Sequence, residues 1–529
     1  MSSYAVEFDA ERIDTLFEEV NQSHLPGAAV GIAINGRPVY RKGFGLASIE
    51  LPLVLSPSTR MRIGSTTKHF AALLYMLLCE EGLASPEDPL GKHMPQLNPV
   101  AQRVTARQLM TNTNGLRDAC DLRFQFSGTT GQRTTRDELV ALYRDLDDVN
   151  TAPGSHWIYN NGGWVLLTAL IERITGKCFE DIMAERLFQP LGMHDSLVRS
   201  WDTDFVPNSA TSHSINRAGR LERLFWHQDF GGAGTVMSTI DDMLRWADNI
   251  SRHRIGSERT WSMMMQPQML PNGVSTTYGF GLFEGLYRGV RVIHHPGGYT
   301  GAGSQMLKVP EAGLDVVVLS NTDSVNCTAV VYRIVDALLP RLEPLKIISR
   351  APATGTFRSA TTGCIVELLD REGQPCVAID GSLDFPYQWT DARLLEPRTE
   401  SAHFRFSVEL LGDTTSSDAI RLTRFGRSDL LTRVDLKPED DCARIEGRYR
   451  SLPTGTEITI VKSAGEVLLR SAGKFGVTES TLTSVTQNVW RSTSNGMVTP
   501  PVAMLTFHDS GFVFTNFTTW ALPFQRITG

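Results

Sequence analysis

The sequence predicts an α+β domain followed by two all-β domains, and three observations carry that prediction. The chain has 529 residues, more than a single hydrophobic core supports. Its texture changes near residue 340. Helical and strand patterns alternate before that point, Pro340, Pro344 and Pro352 mark a linker, and short strands and turns follow. The tail also repeats itself. Gly355-Thr356-Phe357-Arg358-Ser359, followed by Thr362-Gly363, returns 92 residues later as Gly447-Arg448-Tyr449-Arg450-Ser451, followed by Thr454-Gly455. Each copy runs on into two apolar stretches joined by a turn, Arg371-Glu372-Gly373 in one and Ser463-Ala464-Gly465 in the other. Modules of this size read as small antiparallel barrels or sandwiches, and barrels are the expectation taken forward. The acidic stretch Pro438-Glu439-Asp440-Asp441 separates them. The expected domains are 1–342, 343–440 and 441–529.

Within the first domain, Ile13, Leu16, Phe17 and Val20 share one face of an expected helix over 9–23. Ala28–Ile34 and Arg37–Arg41 flank Asn35-Gly36, a strong hairpin signal. A strand over 60–64 feeds a helix over 66–82, with Phe70, Leu73, Leu74, Leu77 and Leu78 at helical spacing and Gly82 ending it. Further helices are expected over 136–147, 162–175, 238–250 and 325–339. Strands are expected over 290–296, 302–309 and 314–320.

Composition excludes several function classes. The net charge is -7, with no Lys/Arg run, so a nucleic-acid partner is not expected. No stretch approaches the length needed to span a bilayer. Met1–Asp9 shows neither a basic nor an apolar leader region. The seven Cys are scattered, with no C-x-x-C pair, which fits reduced thiols. A cytoplasmic protein without metal or other cofactor is the expectation.

Three short motifs carry chemistry. Ser65-Thr66-Thr67-Lys68 stands where a strand feeds a helix. Residues three apart share a helical face, so Lys68 lies beside the Ser65 hydroxyl, a poor nucleophile until a neighbour takes its proton. A solvated lysine after an N-cap serine explains most such matches. It explains the second one here, Ser471-Ala472-Gly473-Lys474, which no helix follows. Tyr159-Asn160-Asn161 is the chain's one Y-x-N. Beside an ammonium, Tyr159 could relay a proton, and the Asn161 amide suits both Lys68 and a substrate amide. An ordinary loop tyrosine is the competing reading. His295-Pro296-Gly297-Gly298 ends a strand and contains the one H-x-G. Gly297 would let substrate backbone approach, and the Gly298 N–H could join that of Ser65 as an oxyanion hole. A plain strand-end turn is the alternative.

In this order and spacing the motifs resemble the penicillin-recognising serine hydrolases, which include class C β-lactamases, D,D-peptidases and D-aminopeptidases. Pro26-Gly27-Ala28, Leu109–Leu116, Pro190-Leu191-Gly192-Met193 and Tyr278-Gly279-Phe280-Gly281-Leu282 strengthen the likeness, which covers roughly residues 10–340. The resemblance implies an antiparallel sheet flanked by helices, plus a helical subdomain. It implies an acyl-enzyme on Ser65, with Lys68 and Tyr159 moving protons. His295 takes the place of the β-lactamases' strand lysine, which weakens the positive charge available to a substrate carboxylate.

The two extra β domains are similar to the D-aminopeptidase branch. That likeness implies a loop near 471–481 directed toward the active site, with Glu479 as the carboxylate for a substrate α-ammonium. It implies release of N-terminal D-residues from a short peptide or amino-acid amide, by a homodimer. The alternatives are a broader esterase, D,D-peptidase or β-lactamase-like hydrolase, and a non-catalytic peptide or penicillin receptor.

Overall fold

A computed structural model describes residues 4–127, 133–216, 218–223, 225–381, 384–398, 406–412, 417–436, 442–473, 476–494 and 502–527. The acidic stretch 438–441 lies outside them. The chain forms two compact units. The first holds residues 1–114, 133–140 and 161–345. The second holds 115–132, 141–160 and 346–529. Two pieces of the N-terminal region thus group with the tail, which a linear division at residue 342 does not anticipate. Among the described residues no helix is long and apolar enough to cross a membrane.

The elements of the first unit that build its site are, in chain order, β1 (Ala28–Ile34), β2 (Arg37–Phe44), α1 (Lys68–Glu80), α2 (Asn161–Thr175), α3 (Ile240–Arg252), β3 (Phe283–Tyr287), β4 (Val290–Tyr299), β5 (Ala302–Val309), β6 (Leu314–Ser320) and α4 (Cys327–Leu338). The six strands form one antiparallel sheet in the order β3-β4-β5-β6-β1-β2.

The sequence of β1 explains how helices cover both faces. Large and small residues alternate along it, and successive side chains in a strand point to opposite faces. Val30 and Ile32 join Val316, Val318, Val331, Ile334 and Val335 in one core, under α4. Each fully buried Val or Ile contributes about 1.5–3 kcal/mol. On the other face Gly31 admits α3 closely. A Cβ at Gly31 would stand 2.5 Å from Ile240 Cγ2. The Thr239 hydroxyl accepts the Asp242 N–H and caps α3, worth about 1 kcal/mol. Helix α1 is buried from Lys68 to Leu78, not along one stripe alone.

Two expected elements are shorter than their periodicity suggests. The helix expected over 9–23 covers Ala10–Thr15. The chain then turns, yet Ile13 and Phe17 stay buried, and Phe17 stacks on Phe44 with ring centres 4.4 Å apart. The strand expected over 60–64 is Met61–Arg62, because Ile63 and Gly64 already bend into the next turn.

The tail of the second unit forms two closed eight-stranded barrels. The repeat is legible atom by atom. Gly355 and Gly447 open the first strand of each barrel, with φ of 145° and 148°. Arg433 lies over the Phe357 ring and Arg526 over the Tyr449 ring, at 4.8 and 5.1 Å. Glu372-Gly373 and Ala464-Gly465 both take positive φ in the two matching hairpin turns, as their strand twist demands. Phe406–Leu411 alternates buried and half-buried side chains, as a barrel strand must.

Candidate active site

The first unit assembles Ser65, Lys68, Asn161, His295, Gly297 and Gly298 around one turn. Gly64–Thr67 is a short 3₁₀ turn that runs directly into α1. Gly64 has φ of 50°, and a Cβ on it would stand 2.7 Å from the Gly298 carbonyl oxygen. Only glycine meets both conditions. A Cβ at Gly297 would sit far inside 3.0 Å of the Ile63 carbonyl oxygen. Strand β4 therefore lies flush against the nucleophile turn. Hydroxyls lock this contact. Ser304 Oγ donates to the Ile63 carbonyl at 2.7 Å, and Thr66 Oγ1 lies 3.2 Å from the His295 carbonyl and 2.8 Å from Ser304 Oγ.

Lys68 is fully buried on the first turn of α1. Its Nζ lies 3.1 Å from Ser65 Oγ, 2.8 Å from Asn161 Oδ1 and 2.8 Å from the Ala233 carbonyl oxygen. The two carbonyl oxygens can only accept, so they take two N–H groups. As a neutral amine, Lys68 turns its lone pair toward the Ser65 hydroxyl and can take its proton. As an ammonium, it donates a third N–H to the same oxygen. The glycine turn Gly231–Ala233 brings in the Ala233 carbonyl. Thr168 on α2 accepts the Gly232 N–H at 2.7 Å and fixes that turn. The Trp164 ring centre is 5.9 Å from Nζ, within cation–π range.

His295 is buried on β4. Its Nδ1 lies 2.6 Å from the Pro296 carbonyl oxygen, so it carries a proton. Its Nε2 lies 3.1 Å from Tyr278 Oη. Burial, then the Lys68 charge, holds the imidazole well below its usual titration range. His295 is therefore a neutral ring that accepts from Tyr278, not a cation standing in for a lysine. His69, next to Lys68, is buried and stacks on Trp246 with centres 5.4 Å apart. Burial lowers its pKa to about 3.

Gly298 is exposed, and among the described residues no atom lies within 4 Å of where its Cβ would stand. Its backbone adjoins Gly64, one residue from Ser65.

Tyr159 is half-buried and belongs to the second unit, two residues before Asn161 in the chain. Glu479 also lies in the second unit. The segment 471–481 expected as a loop is mainly a strand pair, Glu466–Gly473 with Gly476–Thr486, in which Ser471 opposes Thr478. Cross-strand pairs join its two sides. Ser471 Oγ lies 2.5 Å from Thr478 Oγ1, and Arg470 holds the carboxylate of half-buried Glu479 at 2.8 Å. Lys474 and Phe475 lie outside the described residues.

Sequence reasoning missed the Ala233 carbonyl, His69 and the partnership of Tyr278 with His295. The Gly231-Gly232-Ala233-Gly234 run was the available signal for the first. Tyr278 stood in a flanking motif without an assigned task.

A buried lysine within reach of a serine on a helix-opening turn, backed by an antiparallel sheet, defines a serine hydrolase. The chain belongs to the beta-lactamase family, whose model matches residues 13–338. It is 26% identical over 490 residues to the D-aminopeptidase of Brucella ovis, covering 88% of each chain. In fold it is similar to the octameric penicillin-binding protein homologue from Pyrococcus abyssi, at a TM-score of 0.58 and 22% identity, over 80% of this chain and 100% of that one. It is also similar to the D-amino acid amidase from Ochrobactrum anthropi SV3, at a TM-score of 0.52 and 24% identity, over 62% of this chain and 97% of that one.

Proposed function

We propose that the protein is a D-aminopeptidase that releases N-terminal D-residues from short peptides and amides through an acyl-enzyme on Ser65. The observation that carries the chemistry is Lys68 Nζ, held between two carbonyl oxygens and 3.1 Å from Ser65 Oγ. The likeness to D-aminopeptidases runs over 88% of the chain, so it includes barrel sequence, and that supports the choice of substrate.

Ser65 Oγ attacks the substrate carbonyl carbon while its proton passes to Lys68, with Tyr159 as the relay. The Ser65 and Gly298 N–H groups hold the oxyanion. Collapse breaks the C–N bond, and the amine leaves with the proton. Water then adds to the ester, gives up a proton along the same path, and frees the D-amino acid and Ser65. Glu479 would hold the substrate α-ammonium by exchanging it for Arg470. An exposed ion pair of that kind is worth at most about 1 kcal/mol, so the exchange is cheap. A neutral His295 supplies no positive charge of its own for a substrate carboxylate, which favours an amide with a free amine over a carboxypeptidase substrate.

The test is a set of p-nitroanilides, D-Ala, L-Ala and N-acetyl-D-Ala, with Ser65→Ala as control. Cleavage of D-Ala alone, lost in Ser65→Ala, is the expected result. Equal cleavage of N-acetyl-D-Ala would replace this reading with a broader amidase or esterase. Labelling of Ser65 by a fluorescent penicillin without any turnover would favour a receptor.

A further inference from the structure

Turns from both barrels grip the chain segment that carries Tyr159. Asn516–Trp520 of the second barrel meets it first. Asn150 Oδ1 accepts the Trp520 N–H at 3.0 Å, and Asn150 Nδ2 donates to the Thr518 carbonyl at 2.6 Å. Buried Arg117 donates to Asn150 Oδ1 at 2.8 Å and to the Trp520 carbonyl, while Asp148 pairs with it at 2.6 Å. Asp121 accepts from the Asn516 side chain at 3.1 Å and from the Thr519 hydroxyl at 2.6 Å. The first barrel contributes the tip of a hairpin. There the Phe425 carbonyl accepts the Trp157 N–H at 3.4 Å, and the two rings lie 5.4 Å apart. Phe425 and Gly426 take φ of 53° and 81°, the two-residue turn that joins Ala419–Arg424 to Arg427–Arg433. The Trp157 ring lies 6.3 Å from that of Tyr159. On the far side of Tyr159, Asn160 donates to the Leu116 carbonyl at 2.8 Å.

Most of these bonds reach backbone groups, so they fix where the segment lies and do more than cover apolar surface. We propose that the two barrels serve catalysis by positioning Tyr159, with Phe425 and Trp520 as the positioning residues. The proposal rests on the reading of Tyr159 as the proton relay. It gives the tail a task in the reaction itself, in addition to any part in substrate access.

The test uses the full chain with D-Ala p-nitroanilide. Trp520→Ala, which removes the ring that lies 6.0 Å from the His156 ring, and Phe425→Gly, which removes the ring beside Trp157, should each lower kcat about ten- to a hundredfold while KM stays within about twofold, as small misplacements of reacting groups do. Trp520→Phe should restore most of the rate. Leu422→Ala, in the core of the first barrel, should lower thermal stability but keep kcat. Tyr159→Phe is measured alongside. Wild-type kcat in Trp520→Ala and Phe425→Gly, with Tyr159→Phe impaired, would overturn the positioning role and leave the relay standing. An equal loss of kcat in Leu422→Ala would also overturn it. Full activity in Tyr159→Phe would overturn the relay itself.

Discussion

His69 makes the first unit sensitive to acid, and the size of the effect can be worked out. The ring is buried, neither nitrogen has a hydrogen-bond partner among the described residues, and burial lowers its pKa to about 3. An unfolded histidine titrates near 6.5. Above that pH both states are neutral and His69 contributes no pH dependence. Below it the unfolded chain takes up a proton that the folded chain refuses, so stability falls as pH falls. The slope is about 1.4 kcal/mol per pH unit for one such group. Between pH 6.5 and 4.5 the loss is therefore about 2 kcal/mol. His295 is shifted in the same direction and adds to it. His69→Leu removes the titration and two buried polar atoms that lack partners. It should raise stability at pH 7 by about 1–3 kcal/mol and flatten the acid limb by one proton. Urea unfolding of wild type and His69→Leu across pH 4.5 to 8 measures both. Identical acid slopes would refute the argument, because His69 would then be charged or solvated in the folded state.

Three further outcomes are expected. Gly297→Ala forces β4 and the Ile63 turn apart by about 1 Å and should lower kcat about a hundredfold with about 1–3 kcal/mol of destabilisation, read from steady-state kinetics and a melt. Lys68→Met keeps the length of the side chain but not the base, and should lower kcat by at least about a hundredfold, with Ser65 acylation by an active ester falling in step. Asp380→Asn breaks the buried pair with Arg424, 2.6 Å apart and 1% and 3% exposed, and should destabilise the first barrel by about 3–5 kcal/mol, followed by the fluorescence of buried Trp389.

Much of the fold was legible because local and global signals agreed. The alternation of β1, the Asn35-Gly36 turn and the 92-residue repeat each encode a backbone requirement that the structure meets. The pairing of Ser65 with Lys68 and Asn161 was legible because the helix period brings the first two together and the motif order suggests the third. What stayed hidden depends on contacts distant in sequence. No period along the chain announces that the Ala233 carbonyl meets Lys68 across 165 positions, or that Tyr278 holds His295. The segment 471–481 is expected as a loop only through its likeness to the D-aminopeptidase branch, not from any period along the chain. The cross-strand pairs Ser471 with Thr478 and Arg470 with Glu479 put its described residues into two paired strands. Residues 115–132 and 141–160 group with the barrels through bonds such as those of Arg117 and Asn150, which no local pattern records.

The central claim is that Ser65, activated by Lys68, becomes covalently acylated. The direct measurement is mass spectrometry of the protein quenched during turnover of D-alanine p-nitroanilide, followed by peptide mapping. The account predicts one alanyl adduct on the peptide that contains Ser65, absent in Ser65→Ala and strongly reduced in Lys68→Met. Turnover with no adduct under any quench, or an adduct on another residue, would contradict it.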